Sequence, residues 1–258
     1  MFSQRTLTED VAAVRNEHTS DALVLDCDRD FETLPVPARD DLALVTDELR
    51  PFSAPDEWLP DDIPELLRRF AGPDLVVGMP GDGSVAWTKQ TSPPVVFVKA
   101  RVAGSPEEFI DFLLAEALVE VGLDLPEQFL EFFGERYREF ADVVPLDSGS
   151  TYQLAVALTD AYSGLHTHEV FADWEKSYSR LFEAWQDAGG RIEPRLEGIT
   201  REIATGRTDF PDAAEFACNA IKHDIEPPPP FSALDTEAYR HHGVDYAIKW
   251  AEKTLNTE

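Results

Sequence analysis

Disulfides, lysines and long apolar runs are all scarce in this chain of 258 residues. Cys27 and Cys218 are the only cysteines. Two thiols cannot make a disulfide framework and fit a reducing interior, so a cytoplasmic protein is expected. The most apolar stretch, Phe109 to Val121, is interrupted by Asp111, Glu116 and Glu120. It is too short and too charged to cross a bilayer. The opening Met1-Phe2-Ser3-Gln4-Arg5 lacks the apolar core of a signal peptide, so no membrane association is expected. Lysine stands only at Lys89, Lys99, Lys176, Lys222, Lys249 and Lys253. The densest basic pairs, Arg68-Arg69 and Arg136/Arg138, are flanked by carboxylates. Binding to a nucleic-acid backbone needs a basic face, so no nucleic-acid partner is expected.

Acid is what the chain has in excess. Asp plus Glu number 50 against 22 Lys plus Arg, a formal net charge of -28. The acids run along the whole chain instead of forming a tail, which argues against an acidic disordered segment. In dilute buffer such charge opposes compaction. In molar salt the screening length falls to roughly 3 Å and the repulsion fades. The composition therefore predicts a halophilic protein. An apolar fraction of 43% is enough for a packed core, in one large domain or two small ones.

The chain reads as α+β. Thr6-Leu7-Thr8-Glu9 has the pattern of a capping box, predicting a helix to about Glu17. Leu23-Val24-Leu25 is a short strand candidate, and helices are expected over Asp40 to Leu49 and Ile63 to Phe70. The strongest strand signals are Leu75-Val76-Val77, Val85 to Thr88 and Pro94 to Val102. Asp82-Gly83 is a hairpin cue between the first two. A small antiparallel three-stranded sheet is predicted, backed by a helix that Ser105-Pro106-Glu107-Glu108 starts and Gly122 ends. From Pro126 onward, helix follows helix: Pro126 to Ala141, Tyr152 to Tyr162, His168 to Ala188, Ile192 to Thr205, Asp212 to His223 and Asp235 to Leu255. Asp147-Ser148-Gly149-Ser150 is the best central boundary. It suggests an α+β half over 1–146 and a mainly helical half over 147–258, or one continuous domain.

Leu23-Val24-Leu25-Asp26-Cys27-Asp28 is an apolar strand running into Asp-x-Asp. It resembles the first motif of the haloacid-dehalogenase-type phosphatases, and the resemblance makes Asp26 a nucleophile and Asp28 an acid/base beside magnesium. Asp30 stands where that family has Thr or Val, no lysine precedes Lys89, and Ala86 replaces a later Asp. The same stretch resembles an EF-hand at its first three positions, but Phe31 replaces the turn glycine and Pro37 the closing Glu. Leu114-Ala115-Glu116-Ala117-Leu118-Val119 resembles the helix of small zinc peptidases of the His-Glu-x-x-His type, which makes Glu116 the general base. Ala115 and Val119 stand in place of both histidines, so the resemblance implies an inactivated relative. The structural alternative has Glu116 and Glu120, one turn apart, pairing with Arg101 or with another helix.

His166-Thr167-His168-Glu169 could clamp a metal from a helix start, alone or with Glu116. Capping or solvent exposure is the simpler role. His241-His242 point to different helix faces and suit chelation poorly, and no cofactor is expected. Phe171, Trp174, Tyr178, Phe182 and Trp185 recur at helical spacing, as core or as an apolar surface for a protein partner.

The whole chain resembles an uncharacterised family of salt-loving archaeal proteins. The resemblance lies in Gly78-Met79-Pro80-Gly81-Asp82-Gly83-Ser84-Val85-Ala86-Trp87, Ala115 to Pro126, Glu215 to His223 and Pro228 to Asp235. It implies a haloarchaeal cytoplasmic protein and assigns no site. The sequence thus points to a non-catalytic binding or adaptor protein, the alternative being a metal-dependent hydrolase at Asp26/Asp28 or at Glu116.

Overall fold

The computed structural model describes residues 1–79 and 83–256. Its strands are β1 (Phe2–Gln4), β2 (Leu23–Cys27), β3 (Glu48–Leu49), β4 (Val85–Thr88), β5 (Thr91–Ser92) and β6 (Val95–Val98). Four of them form one sheet in the order β1-β2-β6-β4, while β3 and β5 pair separately. The fold is α+β, but the sheet is not the antiparallel three-stranded one expected. It is mixed: β2 runs parallel to β6, with Leu23 opposite Val95 and Leu25 opposite Phe97. β1 and β4 flank that pair antiparallel. Leu23-Val24-Leu25, the weakest strand cue, supplies a central strand. Leu75-Val76-Val77 joins no ladder, although Val77 accepts a hydrogen bond from the Leu34 amide. The physical reason is the parallel pair, whose partners meet across a long connection that no local turn chemistry announces. The Asp82-Gly83 hairpin cue falls partly outside the described residues, since Asp82 is among 80–82. β6 ends at Val98, short of the expected Val102, and Ala100–Val102 forms a turn of 3₁₀ helix.

All four residues of β6 are buried, as a strand covered on both faces requires. Val24, Val96 and Val98 face one cluster with α1 (Glu9–His18) and the later helices. Leu25, Cys27, Val95 and Phe97 face another with α2 (Val36–Ala43). A helix expected over Asp40 to Leu49 is therefore shifted toward the N-terminus, and its end becomes β3. Between them and the sheet's last strands lies the short α3 (Glu65–Arg68).

The helices that follow are α4 (Glu107–Gly122), α5 (Phe129–Phe133), α6 (Tyr137–Val143), α7 (Ser148–Ser177), α8 (Ser179–Leu196), α9 (Ile199–Ala204), α10 (Phe210–Ile221) and α11 (Glu237–Leu255). Two expectations about helix starts and breaks change. The N-cap of α1 is Thr8, and its hydroxyl donates to Asp111 Oδ2 at 2.9 Å instead of capping. The break expected between Tyr162 and His168 is absent, because α7 runs unbroken for 30 residues to Ser177. Gly164 lies within the continuous helix. A Cβ at Gly164 would lie 2.9 Å from the Lys222 backbone nitrogen, so its role is to let the end of α10 come close. Asp147 caps α7, its Oδ1 accepting from the amides of Gly149 and Ser150. The two larger clusters both draw residues from either side of Leu146: Phe129 with Leu158 and Ile221 in one, Phe112 with Phe171 and Trp185 in the other.

One consequence of this topology positions the site. Among the described residues β4 has a single ladder partner, β6, so its other edge is open. α4 packs against β4, and α7 packs against both α4 and α10.

Candidate functional site

A cavity of about 530 Å³ is lined by residues of β4, α4, α7 and the end of α10. Its apolar wall includes Phe70, Val76, Leu113, Phe129 and Val156. Its polar wall includes Glu116, Glu120, Glu127, Asp160 and Lys222, with the exposed Glu215 also on its lining.

Glu116 and Glu120 reach it from successive turns of α4, a helix apolar over most of its length, because residues four apart share a face. Lys222 follows the last residue of α10 and is held in place from several sides. Its carbonyl accepts from Trp185 Nε1 at 2.9 Å, and the neighbouring His223 Nδ1 lies 3.1 Å from the Trp185 carbonyl. Its ammonium then donates to Glu116 Oε1 at 2.7 Å. Trp87, on β4, donates from Nε1 to Glu120 Oε2 at 2.7 Å. Glu120 Oε1 has no hydrogen-bond partner among the described residues. Glu127 closes the turn after β4: it accepts from Thr88 Oγ1 (3.0 Å), the Lys89 amide (2.9 Å) and Gln90 Nε2 (2.7 Å). Gln90 also donates to the Val76 carbonyl and accepts from the Phe52 amide, so this buried amide is fully engaged.

The electrostatics follow from one ammonium among several carboxyls. Burial pushes the Glu120 carboxyl up to about 8, and the neighbouring Glu116 charge pushes it the same way. Lys222 and the Trp87 N–H offset part of this, and Asp160 adds to it. Burial likewise raises Glu127 to about 7, against the pull of its three donors. Burial alone would lower the Lys222 pKa. The Glu116 charge and hydrogen bond, with Glu120 and Asp160, outweigh it and hold the ammonium above its ordinary value. His223 falls to about 4, through burial first and the Lys222 charge second, so beside the ammonium it stays neutral.

The residues singled out from the sequence are distributed differently. Glu116 lies in this cavity, paired with a lysine of another helix. Arg101 is engaged instead by Asp30 (2.8 Å) and Glu32 (2.6 Å). Ala115 and Val119 are both fully buried in the cluster with Phe171 and Trp174, so the helix face that would carry imidazoles is core. Asp26 is ion-paired to Arg5 at 2.6 Å, and Asp28 is exposed. Neither lines the cavity. His166 lines a separate, smaller one with Phe132, Tyr162 and Gly243. His168 sits partly exposed in the middle of α7, not at a helix start. Among the described residues no three His, Cys, Asp or Glu side chains are placed to hold a metal ion. Cys27 is buried, and burial ahead of its Asp neighbours raises its thiol to about 12.

A family model matches the chain over residues 1–258. The chain belongs to a family of unknown function, DUF7089. No curated protein and no solved structure matches it. The match fits the whole-chain resemblance to an uncharacterised family. Membership carries no substrate or residue role, so the meaning of the cavity rests on its geometry.

Sequence reasoning missed Glu120 as more than a partner of Glu116, and it missed Trp87, Glu127 and Lys222. A usable signal existed for two of them. Glu116 and Glu120 are acids four apart inside an apolar helix, and Lys222 is one of few lysines, directly after the alanine-rich apolar run of α10.

Proposed function

We propose that this protein is a non-catalytic binding protein that takes a small organic molecule into the cavity beside β4. The observation that carries the reading is the cavity itself. At about 530 Å³ it lies in the size range of small-molecule sites, and it joins an apolar wall to a few fixed polar groups. Glu120 is half-buried at the wall, and its Oε1, facing no protein donor among the described residues, is open to a ligand's donor.

Chemistry on the bound molecule has less support. Glu116 is tied to Lys222, Ala115 and Val119 contribute no ligands, and Asp26 is tied to Arg5. An adaptor role through the helical half has less support as well. Phe171, Trp174 and Trp185 point into the core, and the exposed large apolar side chains are Val36, Leu44, Val45, Leu66 and Leu123, all before residue 147. The proposal includes a molar-salt cytoplasm as the setting, on the strength of the net charge of -28 and the reduced thiols. No helix is long and apolar enough to cross a membrane among the described residues.

The test is a thermal-shift screen of small molecules against the wild type and Val156→Trp, which fills the cavity from α7. A ligand of the native state raises the melting temperature with concentration. Molecules that stabilise the wild type and leave Val156→Trp unmoved are expected. A screen in which every shift is the same in both proteins overturns the reading.

A further inference from the structure

We infer that the molecule bound beside β4 is an organic cation, an ammonium carried on an apolar or aromatic body, and that Glu120 is the group that receives it. This rests on the binding reading above and adds the ligand's chemical class.

The argument begins with the imbalance of the wall. Glu116, Glu120, Glu127 and Asp160 line the cavity with Lys222 as the ammonium among them. Lys222 is committed to Glu116 at 2.7 Å. Glu120 holds one donor, Trp87 Nε1, on Oε2, while Oε1 has room for another. An anionic ligand would meet these carboxyls at close range in a site of low dielectric, where like charges cost most. A neutral ligand would leave Glu120 protonated and the surplus of acids over Lys222 unanswered. An ammonium supplies a donor for Oε1 and the charge against which Glu120 can ionise.

The remaining wall suits the body of such a ligand. Phe70, Phe129 and Trp87 line the same space, and aromatic faces attract cations as well as apolar groups. Trp87 is fixed by its bond to Glu120, so the acceptor and one aromatic wall are preorganised together.

A proton balance follows. The groups facing Glu120 are Glu116 on its own helix, Trp87 on β4, Asp160 on α7 and Lys222 after α10, and Glu127 shares the cavity. Buried among these, Glu120 carries its proton near neutrality when the cavity is empty. Binding R–NH₃⁺ then converts the carboxyl to carboxylate, and the proton leaves to solvent. Affinity should therefore rise with pH from 6 toward 8, by at most about tenfold per unit.

The experiment uses the full chain in molar potassium chloride and calorimetric titration at about pH 7 with matched probes. Three carbon skeletons (benzyl, naphthylmethyl and butyl) are each offered as amine, alcohol and carboxylate. Expected is binding by an amine with release of up to one proton, read as a dependence of the heat on the buffer's ionisation enthalpy. Glu120→Gln keeps an acceptor for Trp87, and should weaken that amine by at least about tenfold and abolish the proton release. Two results overturn the inference and leave the cavity reading intact. One is an alcohol or carboxylate that binds as well as its amine and is lost in Val156→Trp. The other is amine binding that is lost in Val156→Trp but involves no proton release in the wild type. Binding by none of the probes overturns the cation inference, while the thermal-shift screen against Val156→Trp decides the cavity reading separately.

Discussion

The Lys222 ammonium lies 2.7 Å from Glu116 Oε1, joining the end of α10 to the middle of α4 at the wall of the cavity. The two side chains are 26% and 10% exposed, so the pair is largely shielded from water. Breaking such a pair from one side strands the other charge. Glu116→Ala and Lys222→Ala are each expected to cost about 3 kcal/mol in denaturant unfolding at fixed salt. The double variant should cost clearly less than the sum. Strict additivity would mean that the pair is not coupled in the folded protein.

Glu120 and Glu127 make stability depend on pH in the direction opposite to ordinary salt-bridged acids. Their folded pKa values, about 8 and about 7, lie above the ordinary 4.5. Between those values the native state holds more protons than the unfolded state, so stability falls as pH rises through the window. Below 4.5 both states are protonated, and above about 8 the loss is complete. His223, lowered to about 4 from 6.5, acts oppositely but only below 6.5. Unfolding in molar salt from pH 6.5 to 8.5 should show declining stability. Glu120→Gln should flatten much of the slope, and an unchanged slope in that variant would remove Glu120 as its source.

Two glycines in neighbouring helices should respond with opposite signs. Gly164 on α7 lets the α10 terminus approach, and a Cβ there would lie 2.9 Å from the Lys222 nitrogen and 3.1 Å from its Cβ. Gly164→Ala is expected to destabilise by about 1–3 kcal/mol, because the obstacle is backbone that cannot swing aside. Gly190 is exposed in α8, and a Cβ added there would meet nothing within 4 Å. Gly190→Ala should stabilise by about 0.5–1 kcal/mol through helix propensity alone. Thermal melts of the two variants side by side decide both.

The net charge of -28 predicts the salt response. Lowering potassium chloride from molar to millimolar lengthens the screening distance more than about tenfold, so the carboxylates repel one another over the whole surface. Loss of helical circular dichroism, or a fall in the melting temperature on the order of 10 °C or more, is expected. Equal stability in both buffers would contradict the halophilic reading.

Local chemistry made parts of this structure legible and left others out of reach. Although the N-cap of α4 is Pro106, one residue past the expected Ser105, and no side chain caps it, the extent of that helix and the alternation of Val95 to Val98 between two faces are legible in the local pattern. The parallel pairing of β2 with β6 is not, because nothing near Leu23 names a partner some seventy residues away. Nor does the sequence around Gly164 announce that α7 continues through it, or that the glycine serves the approach of α10. Glu116 drew notice from a motif whose histidines are missing. The partner that gives it meaning, Lys222, sits more than a hundred residues later, and Trp87 and Glu127 join it only through tertiary contacts. A site assembled from β4, α4 and the end of α10 leaves only its acid pair, and the lone Lys222 after the apolar run of α10, in the local pattern.

The measurement closest to the central claim is the carboxyl ¹³C shift of Glu120, assigned with Glu120→Gln and followed near pH 7 while benzylammonium is added. The account predicts a neutral carboxyl in the unliganded protein and a carboxylate in the complex. A Glu120 already ionised in the unliganded protein, or still neutral at saturation, would contradict it.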